Sequence, residues 1–184
     1  IFNEWKWAIF GLVLILFLGF FVRVYNLTIL PVFADEAIYI RWAQVMRSEA
    51  TLRFLPLSDG KQPLFMWIMI PFFKLINDPL FAGRLVSVLS GIGTIIGVYT
   101  ASFILFRSKR ISFVASFIYS IVPYAVFFDR MALADSMLTM FGVWVFTFGL
   151  LLVKYQRLDL AMILGFVLGG ALLTKSPALY FSLL

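Results

Sequence analysis

No histidine and no cysteine occur among the 184 residues. Imidazole bases, thiolate nucleophiles, thiolate metal sites and disulfides are therefore excluded, and proton transfer falls to Asp, Glu, Lys or Tyr. The adjacent carboxylates Asp35 and Glu36, followed by Tyr39, are the first candidates. Asp35 opens a run to Glu49 without Gly or Pro, in which Arg41, Gln44 and Arg47 are interleaved with Ile38, Trp42, Val45 and Met46. That spacing predicts an amphipathic helix over 35–49 suited to a membrane interface. Asp35 fits its N-cap, Glu36 its first turn and Arg47 its last, as capping and the helix dipole favour. Paired carboxylates at headgroup depth, in a chain that uses charge sparingly, point to a general base. The competing reading is that Asp35 only caps the helix.

Three further stretches carry charge. Lys61 sits in the turn Asp59-Gly60-Lys61-Gln62-Pro63 before an apolar segment, which puts its ammonium at headgroup depth, where the bland reading is that it snorkels to water. Arg130 and Asp135 lie close together after a long apolar run and read as a loop residue and the first residue of the next span, with a structural ion pair between them, or with Asp129, as the competing reading. Lys175 ends another apolar run just before Ser176-Pro177. Arg84 reads as an interfacial anchor at the head of a span. Asn26-Leu27-Thr28 matches the short glycosylation acceptor pattern.

These side chains need a scaffold, and composition says which kind. The chain is 63% hydrophobic and 13% charged, with mean hydropathy +1.03. A soluble domain of this size could not bury so much apolar surface; a bilayer accepts it. The net charge of +6 reads as cytoplasmic anchoring charge and attraction to anionic lipid rather than nucleic-acid binding. Apolar runs predict spans at about 7–22, 85–106, 111–128, 136–153 and 160–174, with a sixth starting at Ala178. The chain opens on Ile1 and stops at Leu184 inside an apolar run, which reads as part of a longer protein with further spans.

The segment Leu64 to Ile76 contains Pro71 and ends near Lys74. If it does not span, Lys6, the cluster Arg107, Lys109 and Arg110, and the pair Lys154 and Arg157 all fall on one side. The positive-inside rule makes that side the cytoplasm. The expectation is an outer loop of about 23–81 with interfacial helices at 35–49 and 64–76. All the candidate chemistry then reaches the extracytoplasmic face.

The motifs Phe33-Ala34-Asp35-Glu36-Ala37-Ile38-Tyr39, Lys61-Gln62-Pro63-Leu64, Arg130-Met131-Ala132-Leu133-Ala134-Asp135 and Leu173-Thr174-Lys175 resemble membrane glycosyltransferases of the C-type (GT-C) fold. The closest likeness is to the protein O-mannosyltransferase and aminoarabinose transferase superfamily, and it runs over nearly the whole chain in order. The resemblance implies an all-α multi-pass membrane protein, a GT-C bundle with two interfacial helices in the first outer loop. It also implies inverting transfer of a sugar from a polyprenyl-phosphate carrier to a lipid, glycan or protein acceptor on the extracytoplasmic side. The setting would be a bacterial or archaeal plasma membrane. By the same likeness Asp35 is the catalytic base with Glu36 beside it and Asp135 in the second outer-loop motif. Tyr39, Lys61, Arg130 and Lys175 then bind the carrier substrate. Gln62 stands where the family usually has proline. Gly60 stands where some relatives have an acidic ligand for a divalent metal.

Two other functions compete. A secondary transporter predicts charges near mid-span and broken helices in corresponding halves, yet the centres of the runs at 85–106, 111–128 and 136–153 carry no charge. A noncatalytic assembly subunit predicts no dependence on Asp35.

Overall fold

A computed structural model describes residues 2–183, which form eight α-helices and no strand among the described residues. They are α1 (Phe2–Val24), α2 (Ala34–Ser48), α3 (Leu64–Leu75), α4 (Pro79–Phe106), α5 (Lys109–Ile121), α6 (Pro123–Asp129), α7 (Ala134–Tyr155) and α8 (Leu158–Thr174). The protein is an all-α membrane protein. Three segments are long and apolar enough to cross a bilayer: Lys6–Val24, Pro79–Phe106 and Ala134–Tyr155.

The expected span at 111–128 is not one straight helix. α5 and α6 meet at a 60° bend, because Pro123 cannot continue the α5 hydrogen-bond ladder and instead starts α6. Counted together they make a fourth span. α8, with 17 residues, is about 26 Å long and falls just short of the hydrocarbon thickness. The residues from Ala178, expected to open a sixth span, lie in 3-10 turns over Ser176–Leu183. α3 has 12 residues, about 18 Å, too short to cross.

α4 is the central helix, packed against α1, α5 and α7, while α8 packs on α7. Its start is set by Asp78, whose carboxylate accepts the Leu80 N–H at 2.9 Å, followed by Pro79 at the first helical position. α5 turns a face of small residues inward: Ser112, Ser116 and Ser120 are buried. Their hydroxyls bond back to carbonyls one turn earlier, which lets helices approach closely without orphaned polar groups. α1 leaves Trp7, Phe10, Phe17 and Phe21 exposed, an apolar surface matched to lipid.

The main hydrophobic core is at one end of this bundle. Tyr39, Ala43 and Met46 of α2 meet Phe65, Met66 and Met69 of α3, Ala82 and Val86 of α4, and Met131, Ala132, Leu133, Ala134 and Met137. α2 and α3 thus run side by side in the same direction, with Tyr39 against Phe65 and Arg47 bonded to the Phe73 carbonyl, and the pair packs on α4 while α3 also touches α8. The charges that sequence singled out sit around this core.

Candidate active site

Asp35 lies in the second position of α2, not at its N-cap; Phe33 is the N-cap residue. Its carboxylate is half exposed, 3.7 Å from the Lys61 ammonium. Lys61 is 3.8 Å from Asp59 as well, and its ammonium lies 5.1 Å from the Tyr39 ring centre and 5.5 Å from that of Trp42. The turn that delivers Lys61 needs Gly60, whose φ of 68° is left-handed. The Lys61 N–H then closes the turn on the Pro56 carbonyl at 3.0 Å.

From the other side, Lys175 donates to Asp135 Oδ1 at 2.7 Å. Both side chains keep about 40% of their surface exposed, so the pair remains open to a ligand. Tyr39, Lys61, Gln62, Ala134, Thr174 and Lys175 line a single cleft of about 180 Å³. Two ammonium groups thus face one small volume, each with a carboxylate at its flank. Burial, then the charges of Asp35, Asp135 and Asp59, push the Tyr39 hydroxyl up to about 12. It stays a neutral donor at physiological pH.

Glu36 is in a different situation from its neighbour. It is fully buried and pairs with equally buried Arg84. Arg84 Nε donates to Oε1 at 2.9 Å and Nη2 to Oε2 at 2.8 Å. The Ala132 N–H donates to Oε1 at 2.6 Å and the Phe33 N–H to Oε2 at 3.0 Å. All four lone-pair positions of the carboxylate are filled. Burial raises the Glu36 pKa, but the Arg84 hydrogen bond and the two backbone N–H groups outweigh it and hold the carboxyl below its ordinary value. The remaining Arg84 donors go to the carbonyls of Leu27 and Leu30 at 2.9 and 3.0 Å, and of Pro31 at 3.2 Å. One ion pair ties together α2, α4, the segment after α1 and the segment before α7.

Arg84 is therefore no interfacial anchor. An arginine on an otherwise apolar helix was the available sign, since a charge at that depth needs a partner. A second pair escaped the sequence as well: Arg23 Nε donates to Asp129 Oδ2 at 2.9 Å, and both residues are buried. Arg23 also donates to the Ser120 carbonyl at 2.8 Å. Gly91 makes the room, because a Cβ there would collide with the Asp129 carboxylate and come within 3.0 Å of Arg23 Nε.

Arg130 does not join Lys61 and Lys175. It donates to the Val22 carbonyl at 3.2 Å and to the Asn26 carbonyl at 2.8 Å, holding the chain that leaves α1. It pairs with neither Asp129, which is held by Arg23, nor Asp135, which is held by Lys175. The residues around the cleft do not fit a divalent metal. Asp35 and Asp59 share the Lys61 ammonium, Gly60 adds no side chain, and no group of three acidic ligands occurs among the described residues.

No curated protein and no solved structure matches the chain. The sequence model of the family described as dolichyl-phosphate-mannose-protein mannosyltransferase matches residues 60–184, which include Lys61, Arg84, Asp135 and Lys175. Joined by this match to an apolar helical bundle with a charged cleft at one end, the chain belongs to the dolichyl-phosphate-mannose-protein mannosyltransferase family of membrane glycosyltransferases.

Proposed function

We propose that this protein transfers a sugar from a polyprenyl-phosphate carrier to an acceptor at the extracytoplasmic surface of a bacterial or archaeal plasma membrane, with Asp35 as the base. The observation that carries the reading is that Lys61 and Lys175 line one cleft, Lys61 with Asp35 3.7 Å away and Lys175 bonded to Asp135. α2 and α3 lie along the outer interface in this arrangement, with Lys61 at phosphate depth. The groove lined by Leu64, Met162, Gly165, Phe166, Gly169 and Leu173 gives the polyprenyl tail an apolar path near Lys175.

In the reaction Asp35 accepts the proton of the acceptor hydroxyl or amine. The acceptor atom forms a bond to the anomeric carbon as the bond from that carbon to the phosphate oxygen breaks. A single displacement inverts the centre and needs no covalent nucleophile. The departing phosphate gains charge, which fixed ammonium groups at Lys61 and Lys175 stabilise without reorganising. Asp135 orients Lys175. Glu36 has no free lone pair for a substrate proton; it acts as a positioning residue that fixes the first turn of α2, and Asp35 with it. Arg130 likewise holds the chain leaving α1 instead of touching phosphate.

Membranes of cells with and without the full-length protein, extracted and analysed for polyprenyl-phosphate-linked sugars, test this function. Loss of the protein should make one loaded carrier accumulate and remove its sugar from one acceptor. Unchanged carrier and acceptor pools would refute it.

A further inference from the structure

Toward the C-terminal ends of the α2–α3 pair is a second, larger groove, of about 590 Å³, lined by Met46, Arg47, Arg53, Phe54, Trp67, Ile70 and Lys74. Arg47 closes α2, Arg53 lies in the connecting turn and Lys74 is in the last turn of α3. No carboxylate lines the groove, and among the described residues none lies within 4 Å of these three cationic groups. This contrasts with the active-site cleft, where each ammonium has a carboxylate beside it. From Tyr39 to Arg47 along α2 is about 12 Å, so the two sites are separate.

The groove is built rather than incidental. The Trp67 indole N–H donates to the Arg53 carbonyl at 2.7 Å, and the Phe54 and Trp67 rings meet edge to face with centres 5.3 Å apart. Arg47 Nη1 donates to the Phe73 carbonyl at 2.8 Å, which spends one donor and leaves the rest of the guanidinium for a ligand. Exposed apolar side chains flank two of these cations in the chain, Leu52 and Phe54 beside Arg53 and Leu75, 82% exposed, beside Lys74. A soluble anion would match the charges but leave those side chains in water. A lipid matches both, with phosphate on the cations and acyl chains against the apolar groups.

We propose that the Arg47–Arg53–Lys74 groove binds the phosphate headgroup of an anionic membrane phospholipid and seats the α2–α3 pair on the bilayer. The inference rests on the interfacial placement of that pair, and not on the transfer reaction.

The test is lipid retention by the purified full-length protein in neutral detergent, read by native mass spectrometry. The probes are phosphatidylglycerol, phosphatidylcholine and inorganic phosphate. Wild-type protein should retain phosphatidylglycerol about tenfold better than phosphatidylcholine. Each of Arg53→Gln and Lys74→Gln should weaken phosphatidylglycerol binding about fivefold, the worth of one cation near a charged surface. Lys74→Arg should restore it. Transfer at saturating carrier should be unchanged in Lys74→Gln, so a failed transfer reaction and a failed lipid site give different results. Should Arg53→Gln not fold, Lys74→Gln alone decides, since Lys74 is exposed. Equal retention of the two lipids, unchanged phosphatidylglycerol binding by Lys74→Gln, or equal occupation of the groove by inorganic phosphate would each overturn the proposal.

Discussion

Glu36 and Arg84, 48 positions apart, face each other through two parallel hydrogen bonds of 2.9 and 2.8 Å in a site closed to solvent. Removing one partner of such a pair leaves a buried charge uncompensated, which costs about 3–5 kcal/mol. Glu36→Gln and Arg84→Met should therefore each lower the thermal unfolding midpoint of the full-length protein in detergent markedly. The double variant should recover part of the loss.

The same carboxylate gives a pH dependence with a definite sign. Its folded pKa is depressed, so its contribution to stability is complete above the ordinary carboxyl value and is lost as pH falls through the folded value. Unfolding midpoints measured downward from neutral pH should fall less steeply in Glu36→Gln than in wild type. Identical acid limbs would remove Glu36 from the account of acid stability.

Lys61 and Lys175 face one cleft, whereas Arg130 is bonded to carbonyls elsewhere. A charge-assisted hydrogen bond contributes about 1.5–3 kcal/mol, so Lys61→Ala and Lys175→Ala should each weaken polyprenyl-phosphate affinity by roughly tenfold or more. Their effects should be non-additive in a double-mutant cycle, because both cations act on one phosphate. Arg130→Ala should instead lower stability and combine additively with Lys61→Ala. Coupling of Arg130 to Lys61 as strong as that of Lys175 would contradict this assignment.

Much of the candidate cleft's geometry was legible in the sequence because its parts are local. The acidic pair and Tyr39 share the start of one helix, Gly60 marks the turn that presents Lys61, and Lys175 follows directly on an apolar run. The buried pairs were not legible. Arg84 with Glu36 and Arg23 with Asp129 join residues 48 and 106 apart, and which polar groups meet across helices depends on interhelical register that no local pattern records. The acceptors of Arg130, the carbonyls of Val22 and Asn26, were hidden for the same reason. The bend at Pro123 was carried by the sequence, yet hydropathy averaged over a window passes smoothly across it.

Gly91 offers a test of the second buried pair that leaves every charge in place. Gly91→Ala would push a methyl group into the Asp129 carboxylate, and overpacking of this kind costs about 1–3 kcal/mol. The unfolding midpoint should drop, while carrier affinity at Lys61 and Lys175 stays near wild type.

Sidedness is accessible to single-cysteine labelling, because the native sequence has no cysteine. Cysteines at positions 61 and 110 should react with an impermeant reagent from opposite faces of the membrane, with 61 outside. Labelling of both from one face would mean that α3 crosses after all.

The central claim is that Asp35 takes the acceptor proton, and the most direct measurement is single-turnover sugar transfer by Asp35→Asn in the full-length protein, with carrier affinity measured on the same preparation. The amide keeps the size of the side chain and cannot accept the proton. The account predicts that the transfer rate falls by about 10²–10⁴-fold while polyprenyl-phosphate binding changes little. Transfer near the wild-type rate by this variant would contradict it.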